Sequence, residues 1–282
     1  ILGKFTPKQN LNIPPLKYDV VYNLKKDFKN EEIIINGGIT STDQIKNHLS
    51  KVDGVMIGRS VYHSPYFLTE IEKEIFKNNN TPSRQEVIEN LIQTLDRKPI
   101  VIGHSMGGLL AQLVAAKYEC EKLILLSSAA PAGINSWNWS VIRTLGHNLF
   151  KFPLWKSITN LNIRNIRYGV ANSQPSELQQ SLSAEITFES GRASWQIANW
   201  FLYRNPITKV NAANIKCPIL IIGGSMDKLT PIRIQHCIAK KYGSKATLKE
   251  IDHACHWTAG GSFFAEVSQV MSDWINENSA IR

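Results

Sequence analysis

The chain has 282 residues, 43% hydrophobic and 20% charged, which is the composition of a soluble globular protein with room for one large α/β domain or two smaller ones. No apolar run approaches the roughly 20 residues of a membrane-spanning helix, so an anchor of that kind is excluded. The net charge of +9 lies late: thirteen basic residues face twelve acidic ones in 1–97 and nineteen face eleven in 98–282. The late excess is scattered (Arg143, Lys151, Lys156, Arg164, Arg167, Arg192), which favours a solvated basic surface over RNA binding.

Val21, Leu24 and Phe28 repeat at helical spacing, and a β-rich run from Glu31 to Ile35 ends at Asn36-Gly37-Gly38. Ser41 with Gln44 matches a capping box opening the next helix. Val55 to Ile57 predicts a buried strand, followed by a helix over Phe67 to Phe76, and the polar stretch Asn78 to Ser83 reads as a loop. After a helix near Val87 to Leu95, strand and helix alternate: strand 100–102, helix 109–118, strand 123–126. Residues 132–212 are rich in Trp and Asn and lose that rhythm. It returns with strand 219–222, helix 232–242, strand 246–251 and a helix carrying Phe264, Val267, Val270, Met271 and Trp274 on one face. The apolar strands at 33–35 and 55–57 are expected to join those at 100–102, 123–126 and 219–222 in one parallel sheet, since an isolated pair would leave open edges.

Cys120, Cys217, Cys237 and Cys255 show neither C-x-x-C spacing nor the density of a disulfide scaffold, which suits buried free thiols in a reducing cytoplasm. His253, Cys255 and His256 are too nearly adjacent to converge on a metal without other ligands, and no metal is expected. The chain starts at Ile1 with no signal-peptide pattern after it, which reads as a fragment or an excised piece.

Gly103-His104-Ser105-Met106-Gly107 fits G-x-S-x-G between an apolar strand and an amphipathic helix, the setting that pattern needs. The turn forces the serine into a strained conformation, so Gly103 and Gly107 are expected to be required small. A serine hydroxyl is a poor nucleophile near neutrality and needs a base, itself oriented by a carboxylate. Asp227 stands shortly after strand 219–222, and Asp252 and Glu250 are weaker alternatives for the acid. His253 and His256 both follow the last strand as candidates for the base.

Gly103 to Gly108, Glu189-Ser190-Gly191-Arg192, Asp227 with Pro231, and His256-Trp257 together resemble one branch of the α/β-hydrolase superfamily over most of 91–282. The resemblance implies a catalytic triad of Ser105, Asp227 and His256, since in that branch the histidine precedes Trp or a similar residue. It also implies an oxyanion donor at the Met106 N–H and a lid over about 132–212. Family members often mark the second oxyanion donor with His-Gly, and this sequence contains no such dipeptide.

Residues 1–90 resemble the C-terminal part of tRNA-dihydrouridine synthases, nearest subfamily A. The likeness rests on Thr6-Pro7-Lys8-Gln9-Asn10, Ile13-Pro14-Pro15-Leu16, Ile35 to Ile39, Val52 to Arg59 and Tyr62 to Tyr66. Those enzymes are FMN proteins built on a (β/α)₈ barrel, and the likeness implies a vestigial flavin-phosphate site at Asn36, Gly37, Gly38, Gly58 and Arg59. Glycine-rich strand ends beside a guanidinium suit a phosphate. Only about two βα units are recognisable, however, and residues 1–97 hold no cysteine, so the family's catalytic cysteine has no counterpart there.

The expected fold is α/β: a partial (β/α)₈-barrel segment of two βα units, then a truncated α/β-hydrolase fold with a parallel sheet and helical lid. Domains are expected at 1–90 and 91–282. The expected function is an esterase- or lipase-like serine hydrolase, needing no cofactor and acting on small apolar esters, with activity reduced by the missing oxyanion loop. Ester cleavage is favoured over thioester or amide cleavage. Dihydrouridine synthase activity is not expected, and FMN and tRNA enter only through the N-terminal resemblance. The competing readings are a non-catalytic remnant binding flavin phosphate or tRNA, and a fusion of two gene pieces without evolved function. The lid tryptophans Trp137, Trp139, Trp155, Trp195 and Trp200 either flank an apolar acyl pocket or fill a lid core.

Overall fold

A computed structural model describes residues 16–146, 148, 153–186 and 189–278. The resemblance-bearing stretches Thr6 to Asn10 and Ile13 to Pro15 lie outside them. The chain splits into two compact units, Ile1–Thr94 and Leu95–Arg282.

The first unit contains α1 (Tyr18–Asp27), β1 (Ile34–Asn36), α2 (Thr42–Leu49), β2 (Gly54–Met56), α3 (Arg59–His63), α4 (Phe67–Glu74) and α5 (Arg84–Gln93). β1 and β2 are parallel, with Asn36 opposite Met56, so both strands end at the same edge. Ile35, Ile39, Ile45, Val52, Phe67 and Ile71 form a core of their own beneath them. The single sheet expected from the strand pattern is therefore corrected: among the described residues β1 and β2 pair only with each other. Each strand has only three residues, so its open edge is short, and its buried side chains are already satisfied by this local core. Ser41 caps α2 by accepting from the Gln44 N–H at 3.3 Å, but the Gln44 side chain accepts from the Thr40 N–H, not from Ser41, so the box is half formed. A complete capping box occurs at Ser83 and Glu86 instead, and it ends the polar loop and starts α5.

The second unit is built on β3 (Ile100–His104), β4 (Lys122–Leu126), β7 (Ile219–Gly224) and β8 (Ala246–Ile251), all parallel in the order β3-β4-β7-β8. Leu123 to Leu126 and Ile219 to Ile222 of the two central strands read as unbroken apolar runs because both faces are covered. Side chains alternate across a strand, so Leu123, Leu125, Ile219 and Ile221 join a core with Leu109 of α6 (Met106–Lys117) and Ile234 and Ile238 of α11 (Ile232–Tyr242). Ile124, Leu126, Leu220 and Ile222 pack on the other face with Val267 and Trp274 of α12 (Phe264–Glu277).

Between β4 and β7 the chain makes α7 (Trp139–Leu145), β5 (Ile158–Thr159), α8 (Ile163–Asn165), a π-helical turn at Ile166–Val170, α9 (Ser176–Glu185), β6 (Glu189–Ser190) and α10 (Gly191–Ala198). β5 and β6 form a small antiparallel pair. Ile166, Ala171 and Leu182 are the buried centre of this segment. None of its five tryptophans is fully buried: Trp155 packs on Trp195 with ring centroids 5.1 Å apart, and Trp139 is 75% exposed. Tryptophans as the filling of a lid core are thus corrected; aliphatic residues take that place.

Candidate active site

Ser105 sits between β3 and α6 with φ 55° and ψ −121°, a left-handed conformation that disfavours any residue with a Cβ and costs about 1–3 kcal/mol. A Cβ at Gly103 would collide with the Gly107 carbonyl, so the first small position is required for the reason expected. Gly107 differs: a Cβ there meets nothing within 4 Å, and the second tight position is Gly108, pressed on Ser128. Ser105 is anchored by its own backbone, its N–H donating to Leu126 O at 2.9 Å and its carbonyl accepting from the Ala129 N–H at 2.8 Å.

The ends of β7 and β8 bring the other two groups to it. His256 Nε2 lies 2.8 Å from Ser105 Oγ, and His256 Nδ1 lies 2.9 Å from Asp227 Oδ2. Gly224 permits this approach, since a Cβ there would strike the Ala254 backbone of the histidine loop. Asp227 Oδ1 accepts from the N–H groups of Leu229 and Thr230, both at 2.8 Å. The Thr230 hydroxyl lies within hydrogen-bond reach of Asp227 Oδ2, His256 Nδ1 and Ser127 O, and it can donate to one of them at a time. Burial alone would raise the Asp227 carboxyl. The facing His256 charge, the bond to His256 and the Thr230 donors outweigh it and hold that carboxyl below the ordinary value.

The remaining candidates fall elsewhere. His253 is 78% exposed and pairs with Asp252 at 3.2 Å, and its N–H donates to Ser225 Oγ. Glu250 is exposed on β8. Cys255 is buried, with Gln174 Nε2 at 3.7 Å from its sulfur. Ser190, from the Glu189 to Arg192 stretch, caps α10. Met106 is the first residue of α6, where a backbone N–H has no carbonyl four residues back to bond. The segment between β4 and β7 is tied to the loops that carry Asp227 and His256: Trp257 N–H donates to Val170 O of the π-helical turn, and Asn172 Nδ2 donates to Met226 O.

In the first unit, Asn36, Gly37 and Gly38 leave β1 beside Gly58 and Arg59, which leave β2 at the same edge. Gly37 and Gly38 have φ of 128° and 61°, conformations in which glycine exposes its N–H, and the Tyr18 hydroxyl braces the Gly37 carbonyl at 2.7 Å. A Cβ at Gly58 would meet nothing within 4 Å, so the edge is open there, whereas at Gly37 it would press on the Leu16 side chain at 3.3 Å. The donor types present fit a phosphate monoester.

The family profile described as "Serine aminopeptidase, S33" matches residues 84–260, well over half of the sequence. The chain belongs to that family. The dihydrouridine synthase profile matches residues 3–108, overlapping it through α5 and β3. Two family models therefore match overlapping parts of the chain. The tRNA-dihydrouridine(20/20a) synthase of Synechocystis sp. is 49% identical over 98 residues, 34% of this chain and 29% of that enzyme. The Pseudomonas putida enzyme of the same description is 41% identical over 110 residues, 38% of this chain and 31% of its own. The chain thus spans about three-tenths of the length of these relatives. Among solved structures, polyneuridine aldehyde esterase has a TM-score of 0.49 at 17% identity, covering 85% of this chain and 96% of its own. A Paleococcus ferrophilus monoacylglycerol lipase has a TM-score of 0.48 at 17% identity, covering 68% and 74%. No helix among the described residues is long and apolar enough to cross a membrane.

Sequence reasoning passed over His104. Its Nε2 lies 2.8 Å from the His256 carbonyl, its ring lies 5.0 Å from the His256 ring, and it stands edge-on to Trp257. A neutral His104 donates that bond and so positions the loop carrying His256. Burial, then the neighbouring His256 charge, lower its pKa to about 4. The unfolded chain takes up a proton near pH 6.5 that the folded protein refuses until about pH 4. The stability due to neutral His104 is therefore present above 6.5 and drains away as pH falls, by up to about 3 kcal/mol. In urea unfolding between pH 7 and 4, His104→Gln is expected to flatten this slope; an unchanged slope would assign the acid sensitivity elsewhere.

Proposed function

We propose that this chain is a serine hydrolase that cleaves small apolar esters through an acyl-enzyme. Ser105 is its nucleophile, His256 its general base, and Asp227 the carboxylate that orients and stabilises the imidazolium. The observation that carries this reading is the unbroken relay from Ser105 Oγ to His256 at 2.8 Å and from His256 to Asp227 at 2.9 Å. His256 Nε2 takes the hydroxyl proton as Oγ attacks the ester carbonyl, then returns it to the departing alcohol, and Asp227 stays ionised throughout. The Met106 N–H faces the developing oxyanion as one donor. The half-exposed Trp137, Trp195 and Trp200 favour an apolar acyl group over a charged one.

Turnover is expected to be slow. No His-Gly dipeptide marks the usual second donor in this sequence, and an oxyanion hole short of one donor loses a factor of about 10² to 10³. A short-chain nitrophenyl ester should be cleaved at that reduced level. An aminoacyl nitroanilide, the amide counterpart suggested by the family's name, should be cleaved more slowly still. Faster amide than ester cleavage overturns the ester reading, and a turnover normal for α/β hydrolases overturns the single-donor oxyanion hole.

A second reading assigns residues Asn36, Gly37, Gly38, Gly58 and Arg59 to the phosphate of FMN, supported by the glycine edge bordering open space beside Gly58. Bound flavin would supply hydride chemistry, but residues 1–97 hold no cysteine to donate the proton that uridine reduction requires. The 282-residue chain is therefore expected to form no dihydrouridine in tRNA with FMN and NADPH present, and product above a no-enzyme control would reverse that expectation.

A further inference from the structure

At the end of the four-stranded sheet remote from Ser105, two cysteines 97 residues apart in sequence meet, with Cys120 Sγ 3.1 Å from Cys217 Sγ. Cys120 precedes β4 and Cys217 precedes β7. These strands are parallel neighbours paired from Leu123 and Ile219 onward, and the Leu123 N–H donates to Pro218 O at 3.0 Å, so the two approaches are clamped together. The sulfur separation exceeds a bonded S–S distance by only about 1 Å. Both cysteines line a cavity of about 580 Å³ together with Lys98, Lys117, Lys216, Glu119 and Glu121, Lys98 being paired with Glu119 at 2.7 Å, so a small reagent has a route to them past charges of both signs. Their protons are shared unequally. The hydrogen bond to Cys217, aided by burial, pushes the Cys120 thiol up, while the same bond and the Lys245 ammonium hold Cys217 below the ordinary thiol value against its burial. Lys245 is fixed nearby by the carbonyls of Ala212 and Ile215.

We propose that Cys120 and Cys217 form a redox-active dithiol, a modification site that a low-molecular-weight disulfide of the glutathione type closes into an intramolecular disulfide. The Cys217 thiolate attacks one sulfur of the reagent, forming a mixed disulfide and expelling one thiolate, which takes a proton from solvent. Cys120 then loses its proton, attacks Cys217 Sγ and expels the second thiolate. Two protein thiols are oxidised and one external disulfide is reduced to two thiols. The new bond closes a loop containing β4 and the whole lid segment, so oxidation ties the base of the lid to the sheet.

The test uses the full 282-residue chain with its four cysteines reduced, then equilibrated with oxidised glutathione. The expected product is a monomer with two free thiols, a Cys120–Cys217 linked peptide in a non-reducing digest, and a melting temperature higher on the order of 5–10 °C. Cys120→Ser should instead hold glutathione on Cys217 and show no such rise, while Cys237→Ser should behave as the parent. The proposal fails if four thiols survive, if the linked peptide joins other cysteines or two chains, or if Cys120→Ser rises equally. Should Cys120→Ser fold poorly, the peptide map of the unaltered chain decides alone.

Discussion

Ser105→Ala is expected to abolish covalent labelling by a fluorophosphonate probe and to lower nitrophenyl-ester turnover to the solvent blank, a fall on the order of 10³ or more. The probe needs an activated oxygen, and Ser105 Oγ is the hydroxyl that His256 Nε2 touches. The substitution should leave the fold standing. Beyond that one bond, Ser105 is held through its backbone by Leu126 and Ala129, and these contacts do not depend on the hydroxyl. Removing the side-chain bond costs about 1 kcal/mol, so melting should shift by only a few degrees. Labelling that persists in Ser105→Ala would end the assignment of the nucleophile; loss of labelling together with gross unfolding would call for Ser105→Cys, whose thiol should restore slow acylation.

How much of this arrangement was readable from residues alone depends on whether the signal was local. Leu123 to Leu126 of β4 and Ile219 to Ile222 of β7 are unbroken apolar runs, and α11 and β8 have the bounds that their periodicity predicts. The elbow is legible for the same reason, being five consecutive residues between a strand and a helix. Partner choice is not local. Nothing in Ile34 to Asn36 says which strand it pairs with, so the two separate sheets emerge only once Phe67 and Ile71 are seen to cover that strand from distant α4. His104 occupies a position where the elbow pattern accepts any residue, and its bond to the His256 carbonyl spans 152 positions. Cys120 and Cys217 escape notice in the same way, since no short spacing announces a pair that only the strand register brings together.

The choice between the two histidines tests that reasoning most directly. His256→Ala should reduce turnover by a factor on the order of 10³ or more, because Ser105 then loses its base, whereas His253→Ala should leave turnover within about twofold. Only two residues separate them, but β8 ends at Ile251 and the chain turns sharply, His253 adopting φ 56° with its ring in solvent beside Asp252. Cys255 and His256 then run beneath the lid, where His256 is 2% exposed. Asp227→Asn should fall between the two losses. The amide keeps the shape of the carboxylate and can still accept from the Leu229 and Thr230 N–H groups, but it cannot stabilise the imidazolium, and with its nitrogen toward His256 it would favour the wrong tautomer. Raising the pH should therefore rescue Asp227→Asn in part and His256→Ala hardly at all, since Asp227→Asn keeps an imidazole 2.8 Å from Ser105 Oγ that hydroxide can help to act as base, whereas His256→Ala leaves no such group beside the hydroxyl. If His253→Ala proved the more damaging variant, the relay drawn through His256 would be the wrong one, and Asp252 would replace Asp227 as its carboxylate.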